Sequence, residues 1–592
     1  MSGGAYSTPK TGKDEHPEYW SVAYSKNLDK LSPKQFGIKV DKDVMVELKS
    51  GYAVCLDVYR PDNVGKFPVI VTCSPYSKDV QVMDIPSQPF NSPMFDHQVE
   101  AGDVNFFVER GYAYIVMDAP GTGKSEGAYR GPYSEDEQGA ISEVIEWAAQ
   151  QSWSDGRIGM SGISHFGIIQ LLVAAHKPKG LEAIFPVEIS VSEYDNIYNE
   201  GILNSRGWFI EVDRAVNNHV NVTQEEIGQE RYRSLINHVL RSPEVAQNSY
   251  LRRMLAAPQG KAFFVDCLLH PLDDVPFWNT RSPLGKLKEI KIPTYLGGIW
   301  TYHSLGMAMG PFRAYNDESL DVPKKLIIYA NRGEYSLPYK ELNWEILRWY
   351  DHWLKDIDTG MMGEPPIKTI VNGGRFRYES EWPPKRTRYD RLYLRTFGRL
   401  LNEPEDVDDI LPEVLIHNPP VVSNNDFYLT FQTPPFKSPF EMTGFSLLKL
   451  YCSIDTEDAN FVVRTYEVSE GGKKKLLQNG YLKASHGKIK ESSDWMVIHD
   501  HSRSEKIKPG QVAEYIIQLS SVSRVIRAGH SIELQIDTQN ITKSESYYHK
   551  FGILGSIPSG EQTVYKIYRD LGHLSYLQIP VVPYSEETRW IK

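Results

Sequence analysis

The segment from Trp153 to Pro186 constrains the fold more than any other stretch of the chain. Residues 157–160 are typical of a strand end, and residues 168–176 of a helix of small and apolar residues. Between them lies Gly-Ile-Ser-His-Phe-Gly, residues 162–167. A serine at such a corner has an exposed hydroxyl at a helix N-terminus. The pattern favours a nucleophile elbow at Ser164, although ordinary tight turns use the same residue types and the second glycine is one position late for Gly-x-Ser-x-Gly.

Chain length, net charge and the distribution of apolar residues exclude several classes of protein. A chain of 592 residues is too long for one core, so about two to four domains are expected. A net charge of −11 without a basic block argues against nucleic acid and anionic membrane as partners. No apolar run approaches the roughly 20 residues of a membrane span. The N-terminus lacks the apolar core of a signal peptide, so a cytoplasmic location is the expectation.

The sequence predicts no metal and no cofactor. The four cysteines, Cys55, Cys73, Cys267 and Cys452, lie far apart without metal-ligand spacing and are expected to be buried free thiols. The loop at residues 121–125 resembles a phosphate-binding loop only superficially, because the Gly-x-x-x-x-Gly-Lys spacing is missing.

The order of predicted elements indicates an α/β architecture. Buried-strand patterns occur at residues 68–76 and 111–118, and a helical pattern at residues 140–151 leads into the strand before Ser164. Such alternation implies a parallel sheet with right-handed crossovers, here preceded by an antiparallel hairpin. Ligands of parallel sheets bind at the carboxyl ends of the strands, which is where Tyr76 and Ser164 fall.

Several blocks of sequence are specific enough to indicate a family. They are FPVIVTCSPYSK, ERGYAYIVMDAPGTGKSEG, IEWAAQQSWSDGRIGMSGISHFG, WYDHWLKDIDTGMMGEPPI, TPPFKSPFEMTGFSLLKLYCSIDTEDANFVV and VIRAGHSIELQI. These blocks resemble the cocaine esterase/X-prolyl dipeptidyl peptidase (CocE/NonD) family of serine hydrolases. The blocks keep the family's order over nearly the whole chain. The resemblance implies an α/β-hydrolase domain with a helical cap, followed by a C-terminal β jelly roll.

This architecture divides the chain into four predicted parts. Residues 1–36 form an N-terminal arm, and residues 37–186 together with 287–373 form the α/β-hydrolase domain. Residues 187–286 interrupt the α/β pattern with helical stretches and correspond to the family's cap. From residue 374 onwards, short alternating strands separated by Pro/Gly turns indicate an all-β domain, for which the family has a jelly roll.

The resemblance also implies the catalytic groups. A serine nucleophile needs a base, a carboxylate that orients the base, and fixed donors for the oxyanion. The family's donors correspond to the Tyr76 hydroxyl and the backbone N–H of His165. The family's Asp position is occupied by Thr301 or Tyr302, and no histidine follows the strand at residues 324–330, where the family has one. Two of the three triad positions are therefore changed.

Two residues are candidates for a relocated base. His303 follows the position of the lost Asp, and Glu334 follows the strand at residues 324–330. Each also has a structural interpretation, His303 as a loop histidine bonded to backbone and Glu334 as a solvated carboxylate paired with Arg332. His165 is discounted as a base because its side chain points away in a normal elbow. The substrate pocket is expected to be lined by His165, Trp300, Thr301, Tyr302 and Tyr335.

Three functions remain open at this stage. The first is a serine hydrolase acting on an ester, lactone, amide or related carbonyl of a small organic molecule. The second is a non-hydrolytic cyclase, isomerase or lyase that uses the oxyanion site on an enolisable carbonyl substrate. The third is a catalytically inactive binding protein. Large capped hydrolases often pair, so a homodimer is also considered.

Overall fold

The structure is a computed structural model. It describes residues 28–83, 88–89, 99–204, 218–256, 262–274, 276–300, 304–329, 336–337, 342–371, 375–407, 410–419, 428–539 and 559–583. Most of the expected N-terminal arm, residues 1–36, lies outside these ranges.

The first part of the chain builds a mixed sheet of ten strands. Strands up to residue 379 are β1 (Ile38–Glu47), β2 (Ala53–Pro61), β3 (Phe67–Ser74), β4 (Gln88–Pro89), β5 (Ala113–Asp118), β6 (Ser154–Ile163), β7 (Leu181–Val187), β8 (Tyr198–Asn199), β9 (Ile202–Leu203), β10 (Thr294–Gly298), β11 (Lys324–Ile328), β12 (Ser336–Leu337), β13 (Ile367–Val371) and β14 (Arg375–Glu379). The sheet order is β1-β2-β5-β3-β6-β7-β10-β11-β13-β14, while β4 pairs with β12 and β8 with β9.

The middle of this sheet is parallel. All neighbouring strands from β5 through β13 run in the same direction, whereas β1–β2, β2–β5 and β13–β14 are antiparallel. The parallel core and the hairpin before it, both predicted from alternation, are confirmed. β6 lies at the centre, so the residues that follow it emerge in the middle of the sheet's carboxyl edge.

Helices cover this sheet and bury its apolar strands. Those before β7 are α1 (Lys78–Gln81), α2 (Val104–Val108), α3 (Glu135–Ala149) and α4 (His165–His176). Ser134 caps α3, since its Oγ accepts a hydrogen bond from the Glu137 N–H at 3.3 Å. α4 is almost wholly buried because its sequence is apolar on all sides. α3 and α4 pack against β6, and α4 also packs against β7.

A group of helices separates β7 from β10. They are α5 (Glu193–Ile197), α6 (Val222–Ile227), α7 (Gln229–Val239), α8 (Pro243–Ala246), α9 (Ser249–Ala256), α10 (Ala262–Leu269) and α11 (Pro276–Asn279). These helices enclose an apolar cluster of their own that includes Tyr194, Leu255, Phe264 and Trp278. Two further helices, α12 (Leu305–Asn316) and α13 (Asn343–Lys355), return to the main sheet and contact β10 and β7 respectively.

The last part of the chain is built from strands. They are β15 (Arg388–Arg395), β16 (Arg399–Leu401), β17 (Glu413–His417), β18 (Leu429–Gln432), β19 (Phe440–Ile454), β20 (Asn460–Val468), β21 (Lys474–Lys483), β22 (Ile489–Ser492), β23 (Val497–His499), β24 (Ala513–Ile526), β25 (Ser531–Asp537), β26 (Thr563–Tyr568) and β27 (Tyr576–Val582). Eleven of them form one hydrogen-bonded sheet around a second apolar core. Among the residues described after Lys355 there is no α-helix, so the predicted loss of helical structure is confirmed.

A buried carboxylate joins the helical segment to the β-rich part. Glu200 Oε2 lies 2.6 Å from His499 Nδ1 and 3.3 Å from His501 Nε2, and His501 Nδ1 lies 3.1 Å from His486 Nδ1. Burial alone would raise the pKa of Glu200, but the two histidines hold it below its usual value. Because a charge in this position needs its partners, the cluster fixes how the two parts meet.

We predict that His486→Asn makes stability less sensitive to acid. Burial, together with the charge of His501, lowers the pKa of His486 to about 3, whereas an unfolded histidine titrates near about 6.5. Between these values only the unfolded chain binds the proton. Stability is therefore lost as the pH falls below about 6.5, by up to about 1.4 kcal/mol per pH unit from this residue.

Thermal unfolding midpoints measured between about pH 8 and pH 5 test this prediction. Values at about pH 8, where both states keep the histidine neutral, give the packing effect of the substitution alone. A variant whose midpoint falls with acid as steeply as that of the wild type would contradict the assignment.

Candidate active site

The expected strand–turn–helix corner is present at Ser164. Its backbone has φ 57° and ψ −116°, a region that non-glycine residues seldom adopt. The Ser164 N–H donates to the Val187 carbonyl at 2.9 Å, and the Ser164 carbonyl accepts from the Ile168 N–H at 2.9 Å. The serine is therefore held between β7 and the first turn of α4. Residues in sparsely populated backbone regions are common at active sites.

Both glycines of the motif are required by close approaches. Gly162 has φ 137°, and a Cβ on it would overlap Phe166. A Cβ on Gly167 would overlap the carbonyl oxygen of Val187. Gly167 thus allows α4 to lie directly against β7, even though it stands one position later than the common elbow pattern.

Tyr76 lies in the loop after β3 and packs close to the elbow. Its side chain is buried, its backbone N–H donates to Ser74 Oγ at 3.1 Å, and its ring meets the edge of the His165 ring at a centroid distance of 5.9 Å. Tyr76 also shares an apolar cluster with Tyr129 and Phe166. The tyrosine expected as an oxyanion donor is therefore brought beside the residue that follows Ser164.

A buried lysine holds the Tyr76 loop in place. Lys78 Nζ lies 2.8 Å from Asp57 and 2.7 Å from Asp43, and the Lys78 N–H donates to Asp118 at 2.6 Å. Burial alone would lower the pKa of Lys78, but its hydrogen bonds to Asp43 and Asp57 raise it above its ordinary value. The loop is therefore attached at both side chain and backbone.

His165 is paired with a carboxylate and closed off from solvent. Its Nε2 lies 2.7 Å from Glu137 Oε1, and its ring stacks on Tyr133 at 4.5 Å between centroids. Glu137 Oε2 also accepts the Tyr133 N–H at 2.7 Å. Nδ1 of His165 has no hydrogen-bond partner among the described residues. The His165 side chain was expected to line the substrate pocket. It is instead closed off from solvent and contacts Tyr76.

Trp300 packs in the core beside β10. It is fully buried, its Nε1 donates to the Ile370 carbonyl at 2.7 Å, and its ring packs against Phe312 and Trp382. Its carbonyl also accepts a hydrogen bond from Ser521. Trp300, expected in the pocket, thus has its indole N–H partner in the core, and a pocket role for it stays an untested prediction.

The other predicted site residues lie outside the described part of the chain. They are Thr301, Tyr302, His303, Glu334 and Tyr335. Their roles therefore remain predictions. The nearest described residues are 300 and 304 around the first three, and 329 and 336 around the last two.

Glu188 belongs to no motif of the sequence, and the structure places it one residue beyond the partner of the Ser164 N–H. It follows Val187, whose carbonyl binds the Ser164 N–H, and its own N–H donates to the Gly297 carbonyl at 2.9 Å. Glu188 is buried, has φ 51°, and accepts a hydrogen bond from the Tyr329 hydroxyl at 2.6 Å. The sequence offered one signal for this residue, namely its position directly after β7. That strand lies next to β6, which ends at the elbow.

A second buried acid lies at the start of α5. Burial raises the pKa of Glu193 to about 8, so this side chain is mostly protonated at neutral pH. Its Oε2 accepts from Asn196 at 3.2 Å, and Oε1 has no hydrogen-bond partner within the described ranges. The two buried acids therefore differ in their surroundings: Glu193 is mostly protonated, whereas Glu188 accepts a short hydrogen bond from Tyr329.

The described residues contain neither a metal-ligand cluster nor a membrane-spanning helix. No group of three or more His, Cys, Asp or Glu side chains in these ranges has the geometry to hold a metal ion. Within the same ranges, no helix is long and apolar enough to cross a membrane.

Comparison with known proteins identifies the family. A sequence model described as X-Pro dipeptidyl-peptidase (S15 family) matches residues 50–328, and one for the C-terminal non-catalytic domain of X-Pro dipeptidyl-peptidase matches residues 359–549. The chain belongs to the cocaine esterase/X-prolyl dipeptidyl peptidase family of hydrolases. It is therefore related to enzymes over both its α/β part and its β-rich part.

Two curated relatives illustrate this membership of the family. Cocaine esterase from Rhodococcus sp. (strain MB1 Bresler) is 22% identical, over 92% of this chain and 98% of its own. A putative Xaa-Pro dipeptidyl-peptidase from Streptomyces avermitilis is 31% identical, over 58% of this chain and 49% of its own.

A solved structure shows the shared fold. A CocE/NonD family hydrolase from Staphylococcus aureus superimposes with a TM-score of 0.71 at 22% identity, covering 92% of this chain and 94% of its own. The α/β-hydrolase core followed by a β-rich domain is thus the fold of this chain, as the sequence blocks indicated.

The elbow geometry yields a direct test. We predict that Gly167→Ala destabilises the protein by about 1–3 kcal/mol, because the added methyl group would push α4 away from Val187. The matched control is Gly139→Ala on α3, where nothing lies within 4 Å of the new methyl group. This control should be neutral or stabilising by up to about 1 kcal/mol. Thermal unfolding of both variants checks the pair, and equal midpoints would contradict the assigned contact.

Proposed function

We propose that the chain is a serine hydrolase that cleaves an ester, lactone, amide or related carbonyl of a small organic molecule, with Ser164 as the nucleophile. The observation that carries the proposal is the backbone of Ser164, held at φ 57° between β7 and the start of α4. The relatives named above are an esterase and a putative dipeptidyl peptidase, and both activities transfer an acyl group.

Two donors would stabilise the oxyanion that forms in such a reaction. The backbone N–H of His165 is at the first position of α4, where helical N–H groups lack partners within the helix. The Tyr76 hydroxyl would be the second donor, supported by the contact between its ring and that of His165. Donors fixed before the reaction favour the transition state, since they need no rearrangement as charge develops.

For the base we propose His303, with Glu334 as the alternative. The loops that carry them follow β10 and β11, which are the two strands next to β7 on the side away from β6. A histidine can take the Ser164 proton near neutral pH, whereas a carboxylate would have to be desolvated to do so. The helices of residues 187–286 are proposed to act as a cap, and the β-rich part as a jelly roll.

A second candidate function follows from the changed triad positions. Without an efficient base at Ser164, the oxyanion site would still polarise a carbonyl and stabilise an enolate, which suits a cyclase, isomerase or lyase. Inactive binding is the third candidate. A homodimer remains a separate proposal that sedimentation of the purified protein would test.

We predict that a fluorophosphonate probe labels Ser164 once per chain. A strained elbow serine with fixed donors and a base reacts with such probes, and peptide mapping identifies the modified residue. Ser164→Ala should abolish the adduct. A folded wild-type protein that remains unlabelled would exclude the hydrolase mechanism, and turnover of an enolisable carbonyl substrate by Ser164→Ala would then favour the second function.

We predict that Tyr76→Phe lowers the labelling rate roughly 10²–10³-fold, since it removes one oxyanion donor and keeps the ring. Tyr52→Phe, in the turn between β1 and β2, is the matched control and should react at the wild-type rate. An unchanged rate for Tyr76→Phe would show that the hydroxyl is not a donor.

We predict that His303→Ala lowers the labelling rate about 10³-fold or more and that Glu334→Gln leaves it within about twofold. The reason is that a serine without its base is a poor nucleophile at neutral pH. The reverse pattern would assign the base to Glu334.

A further inference from the structure

Three aromatic rings lie in contact beside the elbow, and the ring of His165 touches both of the others. The ring of Tyr133 stacks on it with the centroids 4.5 Å apart, and the ring of Tyr76 meets its edge at 5.9 Å. Both separations are typical of favourable ring pairs. The tyrosine proposed as one oxyanion donor is therefore in contact with the side chain of the residue whose backbone N–H is the other.

One buried carboxylate of α3 fixes this group of rings. Glu137 is 1% exposed. Its Oε1 lies 2.7 Å from Nε2 of His165, and its Oε2 accepts the Tyr133 N–H at 2.7 Å. Each oxygen thus binds one of the two stacked residues. Tyr133 has a φ of 59°, which is uncommon for a non-glycine residue, and its hydrogen bond to Glu137 helps to hold it there.

The place of Glu137 in α3 shows that its side chain does more than cap the helix. Ser134 and Glu137 have the spacing of a capping box, in which the glutamate accepts the N–H of the N-cap residue. Here the glutamate accepts the N–H of the preceding residue, Tyr133, and also reaches His165, 28 positions along the chain. The carboxylate therefore connects the start of α3 to the start of α4.

The carboxylate also determines which nitrogen of His165 carries the hydrogen. Nε2 faces a carboxylate oxygen, which can only accept, so the hydrogen is on Nε2. Nδ1 is buried and has no hydrogen-bond partner among the described residues. With the hydrogen on Nδ1 instead, two lone pairs would face each other and a buried N–H would lack such a partner, which is costly. The ring therefore has one favourable tautomer and one favourable orientation.

We propose that Glu137 acts through the ring of His165 as a positioning residue for the Tyr76 hydroxyl. This inference rests on the proposed serine-hydrolase function, in which that hydroxyl donates to the oxyanion. A donor contributes most when it is oriented before the charge develops. The edge of a ring that cannot turn limits the orientations open to the Tyr76 ring, whereas a rotating imidazole in the same place would not.

The test measures fluorophosphonate labelling rates at Ser164 in a double-mutant cycle. Glu137→Gln keeps the shape of the side chain but only one acceptor oxygen, so it cannot bind both the Tyr133 N–H and the Nε2–H of His165. It should lower the rate roughly 10–10²-fold in the wild-type background. In the Tyr76→Phe background it should change the rate by less than about threefold, because the hydroxyl that it positions is gone.

Two further variants keep the test decisive if Glu137→Gln folds poorly. His165→Gln keeps the backbone N–H and places an amide N–H near the former Nε2, so the carboxylate stays paired while the ring is lost. It should slow labelling by a similar factor, and again only when the Tyr76 hydroxyl is present. Glu135→Gln is the matched control, since it makes the same change in the same turn of α3 on an exposed side chain, and it should label at the wild-type rate.

Wild-type labelling rates in both Glu137→Gln and His165→Gln would overturn the inference and leave the hydrolase function intact. The same holds if their losses multiply with that of Tyr76→Phe, since a merely structural residue would act independently of the hydroxyl. Failure of the wild-type protein to label at Ser164 would instead remove the proposed function, and the inference with it.

Discussion

The contact between the first turn of α4 and the end of β7 is the constraint on which the site depends. Gly167 lets the helix lie against the Val187 carbonyl, and that carbonyl accepts the Ser164 N–H. Ser164 is thereby held at a positive φ of 57°, directly before the N-terminus of α4. The same contact places Glu188, the next residue of the chain, beside the elbow. One close approach of backbone therefore sets the positions of Ser164, of the His165 N–H at the start of α4, and of the backbone of Glu188.

Buried charged groups fix the loops around this contact. Lys78 ties the Tyr76 loop to Asp57 and Asp43, and Glu137 holds the ring of His165 against Tyr133. Pairs of this kind add little net stability, because desolvation offsets much of the attraction, but a broken pair is costly. The loops consequently have few alternative arrangements. Such rigidity suits a reaction whose transition state is stabilised by donors that do not move.

The comparison with relatives shows what this chain shares with its family. The α/β core and the β-rich domain follow the family, whereas the loss of the carboxylate after β10 and of the histidine after β11 stays a prediction from the sequence. A fold can keep its sheet and elbow while catalytic side chains move among neighbouring strand ends, since all of these ends open onto one edge.

The sequence by itself determined the parallel sheet, the elbow corner and the strand-rich C-terminal part, because apolar periodicity and paired glycines are local signals. It also predicts that two of the three triad positions are changed, and this stays a prediction. Only the tertiary structure decided that Trp300 belongs to the core, that His165 pairs with Glu137, and that Glu188 meets Tyr329. In each case the partners are distant in sequence, and the direction of a side chain at a strand end is set by the elements packed around it. Local pattern carries no information about such partners, since they become neighbours only when the sheet has formed.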